Sequence, residues 1–235
     1  MIDKEMILFD MDGTLLPMDI DEFTKGYFKL LCKKFVPLGY DRDELIKAVW
    51  DATGAMVAND GTRTNEEVFW EAFGTHMDGR AVKDRGLFDE FYENEFGGAR
   101  DFCGFDPAMA AFIRKVRNAG YRTAVATNPI FPMTALRQRL EWAGLDPDGF
   151  ELITAYENSG YCKPNPAYYT EIAQKLGVDP GQCLMVGNDA REDLAAGKAG
   201  MDVFLLTTCL LNRDEIDISA YDHGDLEALE KYIFN

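Results

Sequence analysis

Between residues 105 and 207, short apolar runs alternate with stretches of helical pattern, and this alternation restricts the possible folds more than any other feature of the chain. The runs are YRTAVAT (121–127), ELITA (151–155), QCLMVGN (182–188) and DVFLLT (202–207). Each has the length and apolar density of a strand buried on both faces. Helical patterns lie between them near 107–119, 132–143, 166–177 and 190–199. Asp106-Pro107 reads as an N-cap followed by proline at the first helical position. Gly120, Gly144, Gly177 and Gly200 stand where these helices should stop. Such alternation predicts parallel strands joined by right-handed crossovers. EMILFD (5–10) is a run of the same kind, yet no further strand follows it for about a hundred residues.

That gap, 17–104, reads as helical. Ile20, Phe23, Tyr27, Leu30, Leu31 and Phe35 recur at helical spacing, as do Leu45, Ile46, Val49 and Trp50. Thr64-Asn65-Glu66-Glu67 has the form of a capping box ahead of Val68, Phe69 and Phe73. A further helix is predicted from Asp84 to Phe96, stopping at Gly97-Gly98. Trp50, Phe69, Trp70 and Phe73 fall at helical spacing and read as the core of this region rather than as a ligand cage. The predicted architecture is α/β: a doubly wound parallel-sheet, Rossmann-like core over 1–16 and 105–235, with an α-helical cap domain over 17–104 inserted after the first strand.

In an open parallel sheet, ligands collect beyond the carboxyl ends of the strands. Those ends carry unusual polar groups here. The first closes in Asp10-Met11-Asp12-Gly13-Thr14, the second in Thr127-Asn128-Pro129, and the fourth in Gly187-Asn188-Asp189 with Asp193 beyond it. Lys163-Pro164-Asn165-Pro166 follows the third. Each has a plain alternative. Asp and Gly are ordinary turn residues, Thr127 can cap a strand end, Lys163 can be solvated, and Asp189 can cap the next helix. An EF-hand loop beginning at Asp10 is excluded, because its sixth position needs glycine and holds Leu15. Taken together, the pieces suit one chemistry. Asp10, Asp12 and Asp189 are hard oxygen ligands suited to Mg²⁺, and Thr127, Asn128 and Lys163 supply donors for phosphate oxygens. A cation and a lysine would offset the repulsion between closely spaced carboxylates.

The net charge of −17 argues against nucleic acid and against an anionic membrane as partners. Five cysteines, odd in number and without a C-x-x-C, fit neither a disulfide framework nor a structural zinc site. No run approaches a membrane helix in length, and MIDKEMILFD carries charges where a signal peptide needs an apolar stretch. A cytoplasmic location is expected. Arg63 and Arg100 could meet an anionic substrate, but surface arginines are common; His76 and His223 have no visible partner and read as structural or exposed.

DMDGT, ATN, KPNP and GNDAREDLAAGKAG, in this order on an α/β framework, resemble the haloacid dehalogenase-like hydrolase superfamily. The resemblance covers about 1–16 and 105–207, and the helical insertion resembles that family's cap. It implies that Asp10 is the nucleophile that becomes an aspartyl-phosphate. Asp12 would be the acid that protonates the leaving oxygen and then the base that activates water, with a raised pKa in the closed site. Mg²⁺ would be held by the side chain of Asp10, the backbone carbonyl of Asp12 and the acid of Asp189, with Asp193 binding through water or orienting Lys163. Thr127 and Asn128 resemble phosphate clamps, and Lys163 resembles the lysine that stabilises the nucleophile and the transferring group. Asn188 intervenes where many relatives have Gly-Asp directly, which leaves open whether Asp189 or Asp193 lies closer to the metal. The family's dehalogenase branch lacks an acid at the position of Asp12. The resemblance therefore implies a Mg²⁺-dependent phosphatase acting on a small phosphorylated metabolite. The alternatives are a sugar phosphomutase on the same fold, or a non-catalytic phosphate- or partner-binding module.

Overall fold

The computed structural model describes residues 1–77 and 79–235, with the backbone alone at 81 and 82. Five parallel strands form one sheet: β1 (Met6–Phe9), β2 (Arg122–Val125), β3 (Cys183–Gly187), β4 (Asp202–Leu206) and β5 (Asp222–Gly224), in the order β2-β1-β3-β4-β5. Every residue of β1 is buried. Ile7 and Phe9 face a cluster with Phe112, Ile113 and Leu229, while Met6 and Leu8 face Tyr168, Ile172, Met185 and Leu205. Alternate side chains thus enter two separate cores, one on each face, as a doubly wound sheet requires.

Among the described residues six helices separate β1 from β2, and the first five are α1 (Ile20–Phe35), α2 (Arg42–Val57), α3 (Asn65–His76), α4 (Arg80–Lys83) and α5 (Arg85–Asn94). The capping box at α3 is formed, with Thr64 Oγ1 accepting from the Glu67 amide and Glu67 accepting from the Thr64 amide. α5 ends at Asn94, two residues short of the predicted Phe96, and a separate 3₁₀ stretch, Phe96–Phe102, runs through Gly97-Gly98. The remaining helices are α6 (Pro107–Asn118), α7 (Met133–Trp142), α8 (Pro166–Leu176), α9 (Ala195–Lys198) and α10 (Leu226–Phe234).

Three expectations change. ELITA (151–155) is not a strand of the sheet; a single bridge joins Ile153 to Val125. Asn158 explains it: its side chain accepts from the Ala155 amide and donates to the Ile153 carbonyl, taking backbone groups that a longer ladder would need. The helix predicted at 190–199 shrinks to Ala195–Lys198, because the preceding residues turn around the side chains of Asp189 and Asp193. β5 was not foreseen, since Asp222-His223-Gly224 has no apolar pattern. No helix among the described residues is long and apolar enough to cross a membrane.

Candidate active site

The strand order puts β1 between β2 and β3, so the residue that follows β1 is flanked by the ends of both neighbours. Asp10 extends that pairing, its amide donating to Val186, while the Ala126 amide donates to Phe9. Asp10 and Asp12 on the central tip, Thr127 and Asn128 on one side, and Asn188 and Asp189 on the other line one cavity. Gly13 closes the turn with φ of +84°, and a Cβ there would come within 2.3 Å of Asn188 Nδ2. That approach lets Asn188 tie three loops together: it accepts from Thr14 Oγ1 at 2.9 Å and donates to the Cys209 carbonyl at 2.7 Å.

Lys163 reaches the site from the loop before α8, with a cis peptide to Pro164. Its ammonium is fully buried and lies 2.8 Å from Asp10 and 2.7 Å from Asp193. The second oxygen of Asp193 accepts the Asp189 amide at 2.9 Å. Both oxygens of Asp193 are therefore occupied within the protein. Asp189 uses Oδ1 to cap the amides of Arg191 and Glu192. Asn128 donates Nδ2 to Glu192 at 3.0 Å, and its buried Oδ1 has no partner.

The cluster carries more acid than lysine can neutralise. Burial opposes a charge on Lys163, yet the carboxylates of Asp10 and Asp193 hold its pKa well above the ordinary value. Asp10 is pushed up to about 8: burial outweighs the attraction of Lys163, and Asp193 and Asp12 add repulsion. Burial also raises Asp189, and lifts Glu192 to about 7. Among the described residues, no three His, Cys, Asp or Glu side chains form a metal-binding group. A cage made only of side chains is thus not what this site offers. One or two carboxylates with backbone oxygen and retained water suit Mg²⁺, and a cation would favour the ionised Asp10 that burial, with Asp193 and Asp12, disfavours. Asp10 and Asp189 each have an oxygen outside the contacts above, and these two, with the Asp12 carbonyl, fit that donor set.

Arg139, Glu192 and Asn188 are the site groups that sequence reasoning missed or passed over. Arg139, on α7, is fully buried and forms an ion pair with Asp12. Its guanidinium lies 5.1 Å from the ring of Phe23 and 5.0 Å from that of Phe131, and none of its nitrogens has an aligned hydrogen-bond acceptor. The only available signal was an arginine on the buried stripe of a predicted helix, three residues after Leu136. Arg63 and Arg100 are exposed and do not line the cavity. His76 lies at the surface, 3.3 Å from Asp51, and His223 is exposed on β5. Of the four aromatic residues read as core, Phe73 and Trp70 are buried in it and Phe69 packs against it, while Trp50 is exposed; Trp50, Phe69 and Trp70 also line the cavity.

Comparison with known proteins agrees with this geometry. Residues 4–200 match the family model described as haloacid dehalogenase-like hydrolase. The chain is similar to a phosphoglycolate phosphatase of Psychrobacter arcticus, 24% identical over 210 residues that cover 88% of this chain and 84% of the relative. It is 27% identical to a phosphoglycolate phosphatase of Aliivibrio fischeri over 225 residues, 95% of this chain and 88% of that one. Its fold resembles the crystal structure of a phosphatase from Thermococcus onnurineus, with a TM-score of 0.62 at 20% identity and 98% of each chain covered. Sequence motifs, strand-tip geometry and family match converge: the chain belongs to the haloacid dehalogenase-like hydrolases, among relatives that bear phosphatase names.

Proposed function

We propose that the chain is a Mg²⁺-dependent phosphatase that hydrolyses a small phosphorylated metabolite through an aspartyl-phosphate on Asp10. The helical insertion, 17–104, serves as a cap domain on the core of 1–16 and 105–235, and the setting is cytoplasmic, in keeping with five unpaired cysteines. The observation that carries the reading is Lys163, fixed between Asp10 and Asp193 at 2.8 and 2.7 Å at the mouth of β1. A buried ammonium there restrains the Asp10 carboxylate and faces the charge of a transferring phosphoryl group.

Asp10 attacks phosphorus as its carboxylate, the ester P–O bond breaks, and Asp12 gives its proton to the leaving oxygen. Asp12, now a carboxylate, takes a proton from water; the water oxygen attacks phosphorus, the bond to Asp10 breaks, and inorganic phosphate leaves. One positioned acid thereby serves both displacements. Asp10, Asp189 and the Asp12 carbonyl would hold Mg²⁺, which would neutralise charge as a carboxylate approaches a phosphate dianion. Asp193 keeps Lys163 and the Asp189 backbone in place. Thr127 contributes its hydroxyl to the phosphate pocket. Asn128 joins it when its amide turns from Glu192 toward the cavity.

Hydrolysis of p-nitrophenyl phosphate tests this directly. Turnover should require Mg²⁺, stop in excess EDTA, and be abolished in Asp10→Asn. Full activity in Asp10→Asn contradicts the proposal. Phosphoryl transfer to a sugar phosphate without release of inorganic phosphate would favour the mutase reading.

A further inference from the structure

The cavity above the strand tips extends well beyond the carboxylates. It encloses about 290 Å³, close to the lower end for small-molecule sites. Away from β1 its wall is supplied by α1, α2, α3 and α5, and is dominated by rings: Phe23, Phe28, Trp50, Phe69, Trp70 and Phe88. No lysine, arginine or histidine lines it among the described residues. The hydroxyls in this wall are largely spent internally. Tyr27 and Tyr92 bond to each other at 2.9 Å. Thr24 donates to the Ile20 carbonyl at 2.7 Å and Thr53 to that of Val49 at 2.8 Å. Among the described residues, the one buried guanidinium nearby, Arg139, is committed to Asp12.

A leaving group with its own carboxylate would find acids at one end, Asp10, Asp12, Asp189 and Glu192, and rings with no cation at the other. Burying an unpaired charge there is costly. An uncharged apolar body gains from the same wall through burial and ring contacts. We propose that the alcohol released by this enzyme is uncharged and apolar, an aryl or bulky alkyl group seated among α1, α2 and α3, and not a short carboxylate such as glycolate. This inference rests on the phosphatase reading, and deepens it by naming the substrate class.

Two measurements separate this inference from that reading. The first needs no turnover: calorimetric titration of the metal-free protein with 1-naphthol and with glycolate. Naphthol should bind with a negative heat-capacity change, and glycolate should give no heat of binding. Glycolate binding without naphthol binding overturns the inference. The second compares kcat/KM for 1-naphthyl phosphate and 2-phosphoglycolate with Mg²⁺. The naphthyl ester should be preferred by at least about 100-fold, the scale at which a site rejects a group it cannot pair. Thr53→Arg, which adds a cation to the wall, should reduce that preference at least about tenfold. Equal or better turnover of phosphoglycolate by the unaltered protein overturns the inference and leaves the phosphatase reading standing. If neither ester is hydrolysed, the phosphatase reading fails, and with it the assignment of a leaving group.

Discussion

Two residues at the first strand tip carry opposite burdens. Asp10 sits at about 8 against an ordinary 3.8, chiefly through burial. Between those values the folded chain holds a proton that the unfolded chain has released, so the contribution of Asp10 to stability is full below the unfolded value and declines as pH rises toward the folded one. Asp10→Asn lacks this dependence. In EDTA, urea unfolding should show the variant gaining stability relative to the natural chain between about pH 5 and about pH 8. A difference that stays flat or runs the other way contradicts the raised pKa of the buried Asp10. Asp12 is the converse case, since it is the acidic partner that the fully buried Arg139 faces. Asp12→Asn should slow turnover about 10²–10⁴-fold if acid–base work is the main loss. It should also destabilise the fold by about 3–5 kcal/mol, because a buried guanidinium loses its counter-charge. Adding Arg139→Met should recover most of that stability and none of the activity, a double-mutant cycle readable by denaturant titration and steady-state kinetics. Additive losses would show that the pair is not coupled.

At the scale of elements, the end of β3 decides how Asp193 is used. A Cβ at Gly187 would lie 2.0 Å from Asp193 Oδ2, so the carboxylate folds across a strand end where only glycine leaves room. Gly187→Ala should displace Asp193 from Lys163, lower kcat about 10²-fold and cost roughly 1–3 kcal/mol; unchanged kinetics would argue that Asp193 does not orient the lysine. The sequence disclosed elements well where a cap or stop was local. Asp106-Pro107 opens α6, and Gly120, Gly144, Gly177 and Gly200 all take positive φ at helix ends. It misled where polar side chains a few residues further on compete for backbone groups, as Asn158 does at ELITA and Asp193 does before α9. The motif residues Asp10, Thr127, Lys163 and Asp189 were legible because strand ends concentrate polar groups after apolar runs. Arg139 and the ring-lined wall were not, because a helical stripe of arginine or tryptophan reads the same whether it faces a core or a cavity.

At the scale of the whole molecule, insertion and core are not loosely joined. Phe23, Tyr27, Phe91 and Phe96 belong to the same buried cluster as Ala135, Leu136 and Trp142, and the rings of Phe96 and Trp142 stack at 5.4 Å. The start of α3 is tied across as well, with the Asn65 amide donating to Ser159 and its side chain to the Pro129 carbonyl. Denaturant unfolding should therefore proceed in a single cooperative transition by fluorescence and circular dichroism alike, whereas two separated transitions would mean that the insertion folds as an independent body. The proposed mechanism depends on Asp10 as the group that accepts the phosphoryl. Mass spectrometry of protein quenched in acid during turnover of p-nitrophenyl phosphate with Mg²⁺ reads this directly. The expected result is one added phosphoryl group on the peptide containing Asp10, absent from Asp10→Asn. Continued turnover in Asp10→Asn, or a phosphoryl group on another residue, would contradict it.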